Sequence, residues 1–315
     1  MIEGIPKISV LVITYNQEDL IGRAIDSLLT QKDYLYEICV SDDCSKDRTW
    51  QILQEYSQKY PGLFKLNRND PNLGIFQNVE KTWEMPAGDL ICRLSGDDES
   101  GQNWFEKVVR FVKDNNLDCL NDAFCIYGDY SAIYPNGDSF VYSNRLAAKG
   151  DLSFSLSIRG LIGNRGSCYS RCIHNQLKKV SQGKSYIAED AQDRQVELFS
   201  KRSYYIPWVA NVYYARIGVC VSINRDSQRH SEYMHTMDYL AEFVKESGVD
   251  VSKEDYAFMK IKYAKQTGKH FQAIRYRLQS LTFRIAICSL KVWRRYAFAA
   301  LIRIPHKKPI KNFSV

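Results

Sequence analysis

Strand-like and helix-like patterns alternate through the first 125 residues, and this alternation constrains the fold more than any other feature. Ile8-Ser9-Val10-Leu11-Val12-Ile13 is a nearly unbroken β-branched and aliphatic run, the pattern of a strand buried on both faces of a parallel sheet. Residues 19–30 follow with Leu20, Ile21, Ala24, Ile25, Leu28 and Leu29 at helical spacing. Glu37–Ser41 predicts a second strand, and a helix is expected from about Arg48, capped by Ser45 or Asp47, with Ile52, Leu53 and Tyr56 inward. A strand near Phe64–Leu66, a helix near Phe76–Glu84, a strand at Asp89–Leu94 and a helix carrying Trp104, Phe105, Val108, Val109 and Val112 continue the series. Such alternation builds a mainly parallel sheet with crossover helices, so the fold class is α/β. Beyond Cys125–Tyr127 the order is less regular, and Tyr134-Pro135-Asn136-Gly137-Asp138 reads as a hairpin turn.

Polar residues gather where such a sheet binds ligands, beyond the carboxyl ends of its strands. Thr14-Tyr15-Asn16 follows the first strand, Asp42-Asp43 the second, and Ser95-Gly96-Asp97-Asp98 the strand at 89–94. Any one Asp after a strand could simply cap a helix or fix a turn. Three clusters at three strand ends point to one shared crevice. No G-x-G-x-x-G, G-x-x-x-x-G-K-[ST], H-E-x-x-H or G-x-S-x-G occurs, which argues against a dinucleotide site, a P-loop, a zinc protease and an esterase.

The run Ser9–Asn16, the segment Ser41-Asp42-Asp43-Cys44-Ser45-Lys46-Asp47-Arg48-Thr49, Asn72-Leu73-Gly74, and Gly88-Asp89 before Ser95-Gly96-Asp97-Asp98 together resemble glycosyltransferase family 2. The resemblance implies a GT-A fold, a mixed, mainly parallel sheet flanked by helices. It also implies inverting transfer of a sugar from a nucleotide donor, expected to be a UDP-sugar, to an acceptor hydroxyl. By resemblance, Thr14 and Asp43 contact uracil, Tyr15 and Asn16 belong to the nucleotide-sugar site, and Asn72 and Asn78 fit the family's ribose- or donor-facing segment, with Asn78 taken into the site. The family's D-x-D motif holds a divalent cation, Mn2+ or Mg2+, which neutralises the charge that builds on the departing diphosphate. Its second Asp falls on Asp97, with Asp98 beside it as a helper, but its first is replaced here by Ser95. That departure puts tight metal binding without nucleotide in question. The family's catalytic base usually sits in a Glu-Asp pair at a helix start about ninety residues further on. Glu189-Asp190 matches it, with Asp190 in the base position; the alternative is that Glu189, Asp190 and Asp193 form a solvated acidic helix start. The segment Tyr214-Ala215-Arg216-Ile217-Gly218 lacks a His found in many members.

Charge divides the chain unevenly. Lys and Arg number 43 against 36 Asp and Glu, yet no acidic residue follows Asp255, and 14 of the basic residues do. The first 255 residues thus hold 29 basic and 36 acidic groups, an acidic body with a basic tail. Arg277, Arg284 and Lys291 recur every seven residues, interleaved with Trp293, Phe298, Leu301 and Ile302, a pattern suited to a lipid interface. The longest uncharged run there is seven residues, too short to span a bilayer. The expected organisation is a catalytic domain over 1–220, with a nucleotide-sugar half to about 125 and an acceptor half over 126–220, then a helical extension over 221–315. The expected location is the cytoplasm, peripheral on the inner membrane face, where a polyprenyl-diphosphate-linked saccharide would be the acceptor for capsule or O-antigen synthesis.

Several alternatives compete. A non-catalytic nucleotide-sugar-binding or scaffold protein of the same fold would read Ser95 as a decayed motif. A nucleotidyltransferase also needs acidic metal ligands, but no Gly-rich basic loop follows strand one. Nucleic-acid binding by the tail is not expected. His230 and His235 lack neighbouring zinc ligands. The nine cysteines form no paired C-x-x-C sites, several lie in apolar runs, and no signal peptide is evident, so reduced thiols in a reducing compartment are expected. Cys168 and Cys172, four apart, are expected to face a core rather than to be reactive.

Overall fold

A computed structural model of the chain describes residues 4–149, 153–158, 162–163, 165–180, 189–215, 240 and 243–266. The strands are β1 (Ile8–Thr14), β2 (Leu35–Asp42), β3 (Phe64–Arg68), β4 (Leu90–Ser95), β5 (Glu99–Ser100), β6 (Phe124–Ile133), β7 (Ser139–Tyr142), β8 (Cys168–Ser170) and β9 (Arg202–Tyr214). The helices are α1 (Ile21–Leu29), α2 (Thr49–Lys59), α3 (Ile75–Trp83), α4 (Trp104–Asp114), α5 (Ser153–Ile158), α6 (Arg171–Val180), α7 (Glu189–Phe199) and α8 (Lys253–Gln266). The strand and helix series expected up to residue 114 is present, with ends shifted by a residue or a few.

One sheet carries all nine strands in the order β3-β2-β1-β4-β8-β6-β9-β5, with β7 paired to β6. The first four run parallel, as continuous apolar runs require. β8 then enters antiparallel between β4 and β6. The sheet is therefore mixed, and β6 carries it across residue 125 without a break. In β1 the side chains alternate, so Ile8, Val10 and Val12 pack with α1 and α4 while Leu11 and Ile13 face the opposite core with Val79, Trp83 and Ile173. Each fully buried aliphatic of this kind contributes about 1.5–3 kcal/mol. The amphipathic face expected of α4 is buried in full, from Trp104 to Val112.

The turn expected at Tyr134–Asp138 closes the β6–β7 hairpin: the Tyr134 N–H donates to Asp138 O over 2.8 Å, and Gly137 adopts φ +83°. One cysteine expectation is corrected. Cys92 and Cys168 form a disulfide rather than two thiols, because antiparallel pairing of β4 with β8 sets them directly opposite, 4.4 Å apart at Cα. Cys168, which opens β8, is fully buried, and Cys172, in α6, packs partly buried against the core on the other side of the sheet, so both face a core as expected. The other cysteines described, Cys39, Cys44, Cys119, Cys125 and Cys172, are free thiols.

Candidate active site at the carboxyl edge of the sheet

Register brings the three polar clusters together. Thr14 pairs with Asp42 across β1 and β2, and Ile13 pairs with Ser95 across β1 and β4. All three strands point the same way, so their following loops meet at one edge.

The first two loops are stapled to each other by the motif residues. The Asn16 N–H donates to Ser45 Oγ at 2.9 Å, and Asn16 Oδ1 accepts from the Lys46 N–H at 2.8 Å. The Gln17 N–H donates to Thr49 Oγ1, and Arg48 N–H to Glu18 Oε2. Asn16 and Cys44 both take left-handed backbone, φ +50° and +63°, strain that this network holds in place. Asp42 is buried and accepts from the Ser45 N–H and hydroxyl, so it fixes the turn. The N-cap of α2 is Arg48 rather than Ser45 or Asp47, though Asp47, just before it, still accepts from the Thr49 N–H at 2.9 Å. Thr14 is buried and donates its hydroxyl to Gln17 Oε1, whereas Tyr15 stands 37% exposed over the edge.

Asp43 organises the loop before α3. Its Oδ1 accepts from the Leu73 N–H (2.8 Å) and Asn69 Nδ2 (2.9 Å), and its Oδ2 accepts from the Gly74 N–H (2.8 Å). Asn72 Nδ2 donates to the Asp43 carbonyl. Asn78 sits deeper: it is 2% exposed, donates to Ser41 O and accepts from Asn69 Nδ2, so its amide is spent beneath the crevice, supporting that loop.

The Ser95–Asp98 loop is clamped from both sides. A Cβ on Gly96 would come within 2.3 Å of Gln17 Oε1 and 3.0 Å of Ile13 O, so only glycine lets this loop lie against the first. From α1, the Arg23 guanidinium donates to Asp97 O at 2.7 Å, pairs with Glu99 at 3.1 Å and stacks 3.6 Å over the Tyr214 ring. From the loop before β8, Arg165 pairs with Asp98 Oδ2 at 3.3 Å and stacks 3.9 Å over Tyr213. The Tyr214 N–H donates to Asp98 Oδ1, and its hydroxyl donates to Glu99 at 2.6 Å. Burial pushes Asp98 up to about 7 even with Arg165 beside it; burial also raises Asp97 above the usual carboxylate range. Asp98 is thus engaged by β9 and Arg165, while Asp97 is half-buried at the crevice.

Among the described residues, no group of three or more His, Cys, Asp or Glu side chains is arranged to hold a metal. The donor set at this loop still fits a hard cation of the Mg2+ or Mn2+ kind. Such ions take one or two carboxylates and complete their shell with water and substrate phosphate oxygens. Asp97 offers the first of these.

Asp190 is the second residue of α7, so the helix starts where the Glu-Asp pair predicts. The side chains of 189–193 lie outside the described residues, as do His230, His235, Arg216 and the tail over 267–315. Sequence reading missed Arg23 and Arg165, and it missed Asp129. The Asp129 carboxylate accepts from the Tyr205 hydroxyl at 2.9 Å and from the Asn144 N–H at 3.0 Å, at a register shift between β6 and β9. The bulged pairing that assembles this group leaves no motif.

Residues 9–166, half of the chain, match the family described as Glycosyl transferase family 2. The chain belongs to glycosyl transferase family 2. EpsE of Bacillus subtilis (strain 168) is 33% identical over 108 residues, 34% of this chain and 39% of that protein. The dTDP-rhamnosyl transferase RfbG of Shigella flexneri is 31% identical over 130 residues, 39% of this chain and 42% of that protein. The matched stretches thus span about two fifths of these relatives' lengths. The family 2 chain also shares its fold with S. aureus TarS 1–349, solved in complex with UDP-GlcNAc, at a TM-score of 0.62 and 18% identity, over 84% of this chain and 72% of that one. The fold is GT-A, with the matched family region holding all three polar loops. Among the described residues, no helix is long and apolar enough to cross a membrane.

Proposed function

We propose that the chain is an inverting glycosyltransferase that moves a sugar from a nucleoside diphosphate sugar, a UDP-sugar in this reading, to an acceptor hydroxyl. The observation that carries it is the shared carboxyl edge, where Thr14, Asp43 and Asp97 meet inside the region that matches the family. Asp43 and Thr14 read the base. Asp43 Oδ2 takes one hydrogen bond from Gly74, and a carboxylate oxygen can accept another. Uracil presents N3–H to such an acceptor, cytosine presents a lone pair, and the site favours the former. Thymine has the same N3–H, which suits the name of RfbG as well as the UDP-GlcNAc bound to TarS. Exposed Tyr15 and the strained Asn16 border this pocket.

Asp97 would hold the divalent ion, Mn2+ in this reading. When bound, the ion supplies positive charge to the departing diphosphate. Asp190, the second residue of α7, is in this reading the base that takes the proton of the attacking hydroxyl. The division into a nucleotide-sugar half before about residue 125 and an acceptor half over 126–220 belongs to this proposal. So do a lipid-linked saccharide acceptor in surface-polysaccharide synthesis, a cytoplasmic location and peripheral attachment through the basic tail.

A donor screen with Mn2+ present, measuring release of nucleoside diphosphate from UDP-, dTDP-, GDP- and CDP-linked sugars, tests the reading. Turnover of a uridine or thymidine donor is the expected result. Binding of such a donor with no turnover on any acceptor would replace the enzyme by a nucleotide-sugar-binding protein. Sedimentation with anionic liposomes at low salt, lost when the chain is ended near residue 270, tests the membrane part.

A further inference from the structure

Arg165 lies shortly before β8, far in sequence from Asp98, yet its guanidinium reaches the Ser95–Asp98 loop. Two features build it in. Gly166, at φ +68°, packs its backbone against Ala210 and Asn211 of β9, where a Cβ would come within 2.8 Å of Ala210 O. The guanidinium carbon lies over the Tyr213 ring, 3.9 Å from its centroid, and the group pairs with Asp98 Oδ2 at 3.3 Å. The opposite oxygen of Asp98 accepts from the Tyr214 N–H, so both oxygens of this 2%-exposed carboxylate are engaged by the protein. Next to it, Ser95 stands where the family's first acid would be, and Asp97 is half-buried.

We propose that Arg165 is a resident cation of the metal loop: it neutralises Asp98 in place and withholds that carboxylate from the divalent ion. This rests on the reading of Asp97 as the metal ligand. Arg165 is a positioning residue, acting through Asp98. With Asp98 engaged, the loop offers one carboxylate and repels a dication through the neighbouring guanidinium. The loop alone then binds metal weakly, and the diphosphate of the donor supplies the missing negative oxygens.

The test needs no turnover. Mn2+ binding to the full chain, without nucleotide, is followed by the electron paramagnetic resonance of free Mn2+, with thermal melts on the same samples. Arg165→Met should tighten Mn2+ binding at least fivefold, Arg165→Lys should leave it near the parent value, and Arg165→Met combined with Asp98→Asn should return it there. A folded Arg165→Met protein with unchanged Mn2+ affinity overturns the proposal. Should Arg165→Met fail to fold, Arg165→Gln decides instead: a fivefold gain in Mn2+ affinity supports withheld coordination, and an unchanged affinity in the folded variant overturns it. Adding UDP to the parent protein reports separately on the proposed function. Absence of any UDP-dependent gain in Mn2+ binding counts against the donor site, while the metal-alone comparison still judges Arg165.

Discussion

Replacing Asp43 by Asn separates a loop anchor from a pure base contact. The native carboxylate receives three donors, two on Oδ1 and one on Oδ2, all at 2.8–2.9 Å. An Asn side chain has a single acceptor oxygen. Its better orientation keeps Leu73 and Asn69 and turns the NH2 toward the Gly74 N–H, losing that bond outright. Gly74 is exposed, so water partly compensates, and this loss costs about 1 kcal/mol. The two surviving bonds fall from charge-assisted to neutral, about 0.5–1 kcal/mol each. Together the substitution costs about 2–3 kcal/mol, or roughly 5–10 °C in melting temperature for a domain of this size. Urea denaturation followed by tryptophan fluorescence, with no ligand present, measures it. UDP affinity should fall in parallel, because the loop that Asp43 orders flanks the pocket. A stability change below about 0.5 kcal/mol with UDP binding abolished would refute the anchoring argument and leave Asp43 as a ligand contact alone.

Asp97→Asn should keep the fold and lower turnover at least about a hundredfold, since the amide keeps the shape and loses the charge that holds the cation; full manganese-dependent activity in the folded variant would remove Asp97 from the metal site. Asp190→Asn should cost about 10²–10⁴ in transfer rate, the usual worth of a general base, while UDP affinity by titration calorimetry stays within a few-fold; lost UDP binding with turnover retained would move Asp190 to the donor site. Glu37 is buried, and although burial alone would raise its pKa, the ion pair with Lys65 and hydrogen bonds from Ser9 and Ala87 hold it below the usual carboxylate range. Its contribution is therefore present above the unfolded pKa near 4.5 and lost as pH falls through the lower folded value. Glu37→Gln should be about 1–2 kcal/mol less stable at pH 7, with the gap narrowing as pH falls below 4.5, by urea midpoints; a gap that stays constant as the pH is lowered would contradict this.

What could be read from sequence followed from how locally each element is determined. β1 to β4 and α1 to α4 announce themselves because each buries its own apolar run or stripe, and that periodicity survives any arrangement of neighbours. β5 and β8 are two and three residues long, and a strand that short is made by its partners. Insertion of β8 between β4 and β6 is what joins Cys92 to Cys168, so the disulfide was as illegible as the strand. Asn78 looked donor-facing from its place in the family segment, but the α3 face that carries Val79 and Trp83 into the core takes Asn78 down with it.

The same contrast governs the site. Motif residues such as Asn16, Asp42 and Ser45 sit next to the strand ends they decorate, and their spacing shows them. Arg23 on α1 reads as an ordinary charged helix residue, and Arg165 follows no recognisable pattern at all. Both acquire a role only because β9 returns to the crevice with Tyr213 and Tyr214 side by side, giving each guanidinium a ring to lie on and an acidic neighbour to meet. Side chains on adjacent strand residues point to opposite faces of a sheet, so consecutive tyrosines serve the two arginines from opposite sides. The loop between them is held without a contribution from Ser95's missing carboxylate. The loop is gripped from both sides by the two arginine–tyrosine contacts together with the pairs of Arg23 with Glu99 and Arg165 with Asp98.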